Sequence, residues 1–117
     1  LDAVIEKDLK KALHLLEDLI TLKTEPLALI NLLAREYRNM LEEKHLEKMK
    51  FTTKEIKEKL HLQDWQLDKV RKNASNYHED DLKDYLIHLE KLDFKIKSGQ
   101  IDKIIGLKMF LIDLYEY

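Results

Sequence analysis

With 117 residues, the chain can bury about two-thirds of its unfolded surface in one core, and it is too short to be divided among several folded domains. No cysteine is present, which excludes disulfides and thiolate metal sites and favours an intracellular, cytoplasmic setting. Charged residues make up 38% but nearly cancel at a net charge of −2, so nothing global argues for a phosphate backbone or a membrane surface.

Two glycines and one proline leave little turn chemistry for a multi-stranded sheet, and the composition predicts an all-α bundle. No apolar run reaches the roughly 18 residues that span a bilayer, and no signal peptide is visible. The chain begins at Leu1 in mid-pattern and without a methionine. It is expected to be a single helical domain over residues 1–117, cut from a longer protein.

In chain order the pattern predicts about six helices. Residues 1–5 look like the tail of something upstream. Asp8 can cap a first helix that sets Leu9, Ala12, Leu13, Leu16, Leu19 and Ile20 at spacings of three and four. The second helix, from Pro26 to about Lys48, is the one the rest is organised around. Pro26 suits a first turn, and Leu27, Leu29, Ile30, Leu32, Leu33 and Ala34 place apolar groups on nearly every side. Such a helix is expected to be buried on all sides, emerging into water past about Glu42. Thr52-Thr53-Lys54-Glu55 fits a capping box opening a short helix with Ile56 and Leu60 inward. After a break at His61-Leu62-Gln63, a fourth helix takes Trp65, Leu67, Val70 and Ala74 as its apolar side. Residues 73–78 read as a turn. A fifth helix stripes Leu82, Tyr85, Leu86, Leu89, Leu92 and Ile96, and Ser98-Gly99 stops it. The last runs from about Asp102 to the end.

Few residues offer chemistry. Glu42-Glu43-Lys44-His45 and Glu58-Lys59-Leu60-His61 each contain Glu-x-x-His, half of a di-iron carboxylate ligand set. The first copy falls on the end of the central helix expected to be solvated, and the second closes a helix of about two turns. Solvated side chains are the better reading of both. His14, His78 and His88 have no matching partners and are read as surface or capping residues. No nucleophile elbow, triad or glycine-rich phosphate loop is present, so no catalytic, cofactor-binding or metal-binding residue is expected.

The helices at about 53–60 and 64–75 have the spacing of a helix-turn-helix. The second offers Gln66, Lys69, Arg71, Lys72 and Asn73, types that read bases and phosphates. Asp64 and Asp68 at its leading end would repel a DNA backbone. DNA binding through this pair is kept as the alternative function.

Three motifs carry a family resemblance over essentially the whole chain. They are Glu25-Pro26 with Leu33-Ala34-Arg35 and Tyr37-Arg38, then Glu55 to Leu60 leading to Leu62 and Val70, then Leu92 to Gly99 before an apolar last helix. Together they resemble the C-terminal domain of the delta subunit of bacterial DNA polymerase III, part of the sliding-clamp loader. One departure is Asp64, where the family often has proline; both residues suit a helix start. The resemblance implies a collar domain that holds the clamp-loader subunits in a ring during DNA replication. Its partners would be the C-terminal domains of the delta-prime and gamma/tau subunits. DNA and the sliding clamp would be met only through the complete complex, whose ATPase-like modules are absent from this stretch.

The last helix has more apolar surface than one stripe. Ile101, Ile104, Ile105, Leu111, Ile112 and Tyr115 share one broad side, and Leu107, Phe110, Leu114 and Tyr117 extend it around much of the circumference. A second apolar side can mark a partner contact or can be covered by a neighbouring helix; the resemblance tips the reading toward Leu107, Phe110, Leu114 and Tyr117 as the contact, with Phe110 its anchor. Arg35 is expected to find an intramolecular carboxylate. For Arg38 an intramolecular carboxylate, another subunit of the complex and nucleic acid all stay open.

Overall fold

The computed structural model describes His14, Glu17, Asp18 and residues 25–114. Among the described residues there are five α-helices and no strand: α1 (Pro26–Lys48), α2 (Thr53–Leu60), α3 (Asp64–Ala74), α4 (Glu79–Lys97) and α5 (Lys103–Leu114). Five is one fewer than the sequence predicts, and the difference falls on the expected first helix. That segment lies outside the described residues apart from His14, Glu17 and Asp18, which are helical and exposed. No described helix is long and apolar enough to cross a membrane.

α1 starts where its proline predicts, with the Glu25 carboxylate accepting from the Leu27 amide at 3.3 Å. Pro26, Ile30, Leu33, Tyr37, Met40 and Glu43 are buried, at steps of three and four. The other side is open, with Ala28, Asn31, Arg35 and Arg38 exposed and Leu32 at 42%. The expectation of burial all round is therefore corrected: neighbours cover one stripe, and small or isolated apolar groups on the far side tolerate water. The emergence into water comes one residue later than Glu42: Glu43 is 1% exposed, and residues 44–48 are half-buried or exposed.

Local chemistry sets the other boundaries. Lys50 takes φ 64°, and the Phe51 amide reaches back to the Leu46 carbonyl at 3.1 Å, ending α1 in a left-handed cap. At α2 the Thr52 hydroxyl accepts from the Glu55 amide at 3.2 Å, and the Glu55 carboxylate accepts from the Thr52 amide at 3.0 Å. This reciprocal pair holds the Glu55 carboxyl below its usual range, the Thr52 amide first among the causes. Thr52→Ala is expected to cost about 1 kcal/mol, measured as a lower urea midpoint with unchanged slope. α2 and α3 are joined by His61, Leu62 and Gln63, with His61 at φ 56° and a Lys57–Asp64 ion pair across the turn. Glu79, Asp80 and Asp81 in the first turn of α4 suit its dipole. Its far end closes as a Schellman motif: Gly99 sits at φ 76°, its amide on the Ile96 carbonyl and the Gln100 amide on the Lys95 carbonyl.

Packing separates two compact units, Arg35–Leu86 in one and Leu1–Ala34 with Ile87–Tyr117 in the other, so the division cuts both long helices. The Arg35–Leu86 unit gathers Met40, Ile56, Leu67, Val70, Ala74 and Leu82 about three tyrosines. The rings of Tyr37, Tyr77 and Tyr85 lie 5.5–5.8 Å apart in edge-on and tilted pairs, the arrangement their quadrupoles favour. In the other unit Ile30, Leu33, Leu89, Leu92, Leu107, Phe110 and Leu111 are buried. There α5 approaches α4 so closely that a methyl group on Gly106 would lie 2.7 Å from Leu92 Cδ1.

Candidate partner interface

α5 begins on Asp102, whose carboxylate accepts from the Ile104 and Ile105 amides at 3.0 Å each. Lys103 pairs with Glu25 at 3.1 Å, and that lysine holds the exposed Glu25 carboxyl below its usual range. The helix is apolar on two sides, and its packing uses one of them. Gly106, Leu107, Phe110 and Leu111 are buried, and the Phe110 ring meets His88 edge-on at 5.2 Å between centroids. Ile105, Met109 and Ile112 are 55%, 51% and 45% exposed, at spacings of four and three that form one outward stripe.

This reverses the side proposed for a partner. Leu107 and Phe110 are 2% and 1% exposed and belong to the unit's own core, so they present no surface to another chain. Leu114 lies in the last turn of α5, and Tyr117 lies outside the described residues. The physical reason is the line of closest approach at Gly106. At about 100° per residue, Phe110 and Leu107 fall on one flank of that line, and Met109, Ile105 and Ile112 on the other. The glycine was legible in the sequence; which flank turns inward was not.

A second outward apolar face lies on α4. Ile87 and Phe94, seven residues apart, are 50% and 65% exposed, with the exposed Lys91 between them. They lie about 140–160° around the helix from Leu92, the residue that meets α5. Both positions are off the Leu82–Ile96 stripe, a signal the periodicity already contained.

The arginines of α1 are exposed, and neither Arg35 nor Arg38 has an ion-pair partner among the described residues. The carboxylate expected for Arg35 is thus not found there. Glu43 instead takes Arg71 of α3, Oε1 accepting from Nε at 2.9 Å, while Arg71 Nη1 donates to Thr53 Oγ1 at 3.2 Å. One guanidinium so ties α1, α2 and α3. Burial raises the Glu43 carboxyl above its usual range, the neighbouring Glu47 adds to that, and Arg71 works against it.

The α2–α3 pair has the helix-turn-helix spacing, but two of its five candidate readers are committed elsewhere. Arg71 is bound to Glu43, and Asn73 is 9% exposed. Trp65, expected on the apolar side of α3, is 64% exposed and donates to Gln63 Oε1 at 3.0 Å. The Glu-x-x-His pairs face water: Glu42 and His45 are both exposed, and so are Glu58 and His61. No group of three or more metal-ligating side chains is assembled among the described residues.

Residues 1–114 match the family described as DNA polymerase III delta subunit, C-terminal domain. The chain is 22% identical over 114 residues to DNA polymerase III subunit delta of Bacillus subtilis (strain 168), covering 97% of this chain and 33% of that one. In fold it is similar to the solved Bacillus subtilis DNA clamp loader delta protein, with a TM-score of 0.89 at 22% identity, over 99% of this chain and 34% of that one. The chain spans about a third of the length of these relatives.

Proposed function

The chain belongs to the family formed by the C-terminal domains of DNA polymerase III delta subunits, and we propose that its role is to hold the subunits of a clamp loader together as a collar. In this reading it is the C-terminal domain of a longer delta subunit, and its partners are the C-terminal domains of the delta-prime and gamma/tau subunits. ATP-driven modules elsewhere in that subunit and its partners would meet the sliding clamp and DNA.

The observation that carries the reading is the outward stripe of Ile105, Met109 and Ile112. Each of these side chains is about half exposed, so covering all three would contribute roughly 3 kcal/mol before the costs of association. Ile87 and Phe94 offer a separate face, which suits a ring member with a different neighbour on each side.

The test is the double substitution Ile105→Glu with Ile112→Glu, followed by circular dichroism and by binding to the delta-prime and gamma/tau C-terminal domains. Unchanged helicity with association weakened about a hundredfold is the expected result, the scale of losing an interface anchor. A folded variant that assembles normally would place the collar contact elsewhere. Duplex DNA should bind the chain weakly and without sequence preference. Sub-micromolar, sequence-dependent binding at moderate salt would put the helix-turn-helix reading first.

A further inference from the structure

We infer that Met109 is an oxidation-sensitive site whose conversion to the sulfoxide by peroxide blocks the α5 face from taking a partner. The inference rests on the collar reading for its consequence, and on this chain's own geometry for its chemistry. Of the three methionines, Met40 is 1% exposed, in the core of the Arg35–Leu86 unit, whereas Met49 and Met109 are 58% and 51% exposed. Only Met109 sits in an apolar stripe, one turn from Ile105 on one side and from Ile112 on the other. Its thioether is therefore both reachable by a small oxidant and central to the surface that a partner must desolvate.

The step is balanced with hydrogen peroxide as the oxidant. The sulfur lone pair attacks one peroxide oxygen, the S–O bond forms as the O–O bond breaks, and the departing hydroxide takes the remaining proton as water. Sulfur loses two electrons and peroxide gains them. The product replaces a flexible apolar group by a polar, chiral one in the middle of the stripe. Covering it would leave the sulfoxide oxygen without water or a donor, a cost that falls on association and not on folding, because Met109 is outward. Assembly would shield the sulfur, so the free chain is the form that reacts.

The experiment treats the chain with hydrogen peroxide, reads each methionine by peptide mass spectrometry, and measures binding to the partner domains before and after. Met109 and Met49 should convert well ahead of Met40, and association should weaken about tenfold or more at unchanged thermal midpoint. Measured against its own untreated binding, Met109→Leu, close in volume, should show no loss on treatment, while Met49→Leu should lose binding as the unsubstituted chain does. Met109 converting without loss of binding, or the Met109→Leu chain losing binding equally, would overturn the inference. Failure of the untreated chain to bind any partner domain would instead overturn the collar reading, and the switch with it.

Discussion

Replacing Phe110 with alanine should remove about 3–5 kcal/mol of folding stability, the range for deleting a buried aromatic side chain. Phe110 is 1% exposed, and Leu107 and Leu111 beside it on α5 are 2% each, so the vacated volume has well-packed walls that can collapse only in part. The edge contact with His88 at 5.2 Å is lost as well. A small domain has about 5–15 kcal/mol in total, so the variant should be near or past its unfolding threshold at 37 °C. Urea unfolding followed by circular dichroism measures this, and Met109→Ala on the outward flank is the control, expected within about 1 kcal/mol of the unsubstituted chain. A loss at Phe110 no larger than the control's would mean that α5 turns its other flank to the core.

Arg71→Ala is the second large expected effect, at about 2–4 kcal/mol. Removing one partner of a buried ion pair strands the other charge, and the figure is set below the full range because the Arg71 side chain is 31% exposed. Three helices lose their common tie, since Arg71 also donates to Thr53. The pH dependence separates this from simple loss of packing. Burial, then Glu47, already raise the Glu43 carboxyl above its unfolded value. The folded state therefore binds the proton more tightly, so this group's contribution to stability falls as pH rises from the ordinary carboxylate range through the raised value. Without Arg71 the carboxyl should move further up, extending that fall to higher pH. Glu43→Gln should flatten it, because an amide keeps the shape and carries no titrating proton. A pH profile of stability identical in all three chains would remove Glu43 from the account.

Whether a helix exists, and where it ends, is decided by groups within about four residues of one another. For that reason Pro26, the Thr52–Glu55 box, the stop at Ser98-Gly99 and the start at Asp102 could be read directly, and α1, α2 and α5 begin where these residues place them. The family motifs were legible on the same footing, as types at fixed spacing. What a helix turns inward is decided by other helices, and there the one-dimensional pattern is degenerate. α5 carries two apolar flanks, and the approach of Gly106 to Leu92 leaves Phe110 inside and Met109 outside. Glu43 reads as a solvated acid until Arg71, 28 residues away, supplies the charge that lets it stay buried. Trp65 reads as core by its type, yet Leu67, Val70 and Ala74 fill the inward side of α3 and leave the indole in water. By itself the sequence determined the five described helices, most of their ends and the family; the tertiary structure alone decided which surfaces are left for a partner, because burial depends on contacts between residues far apart in the chain.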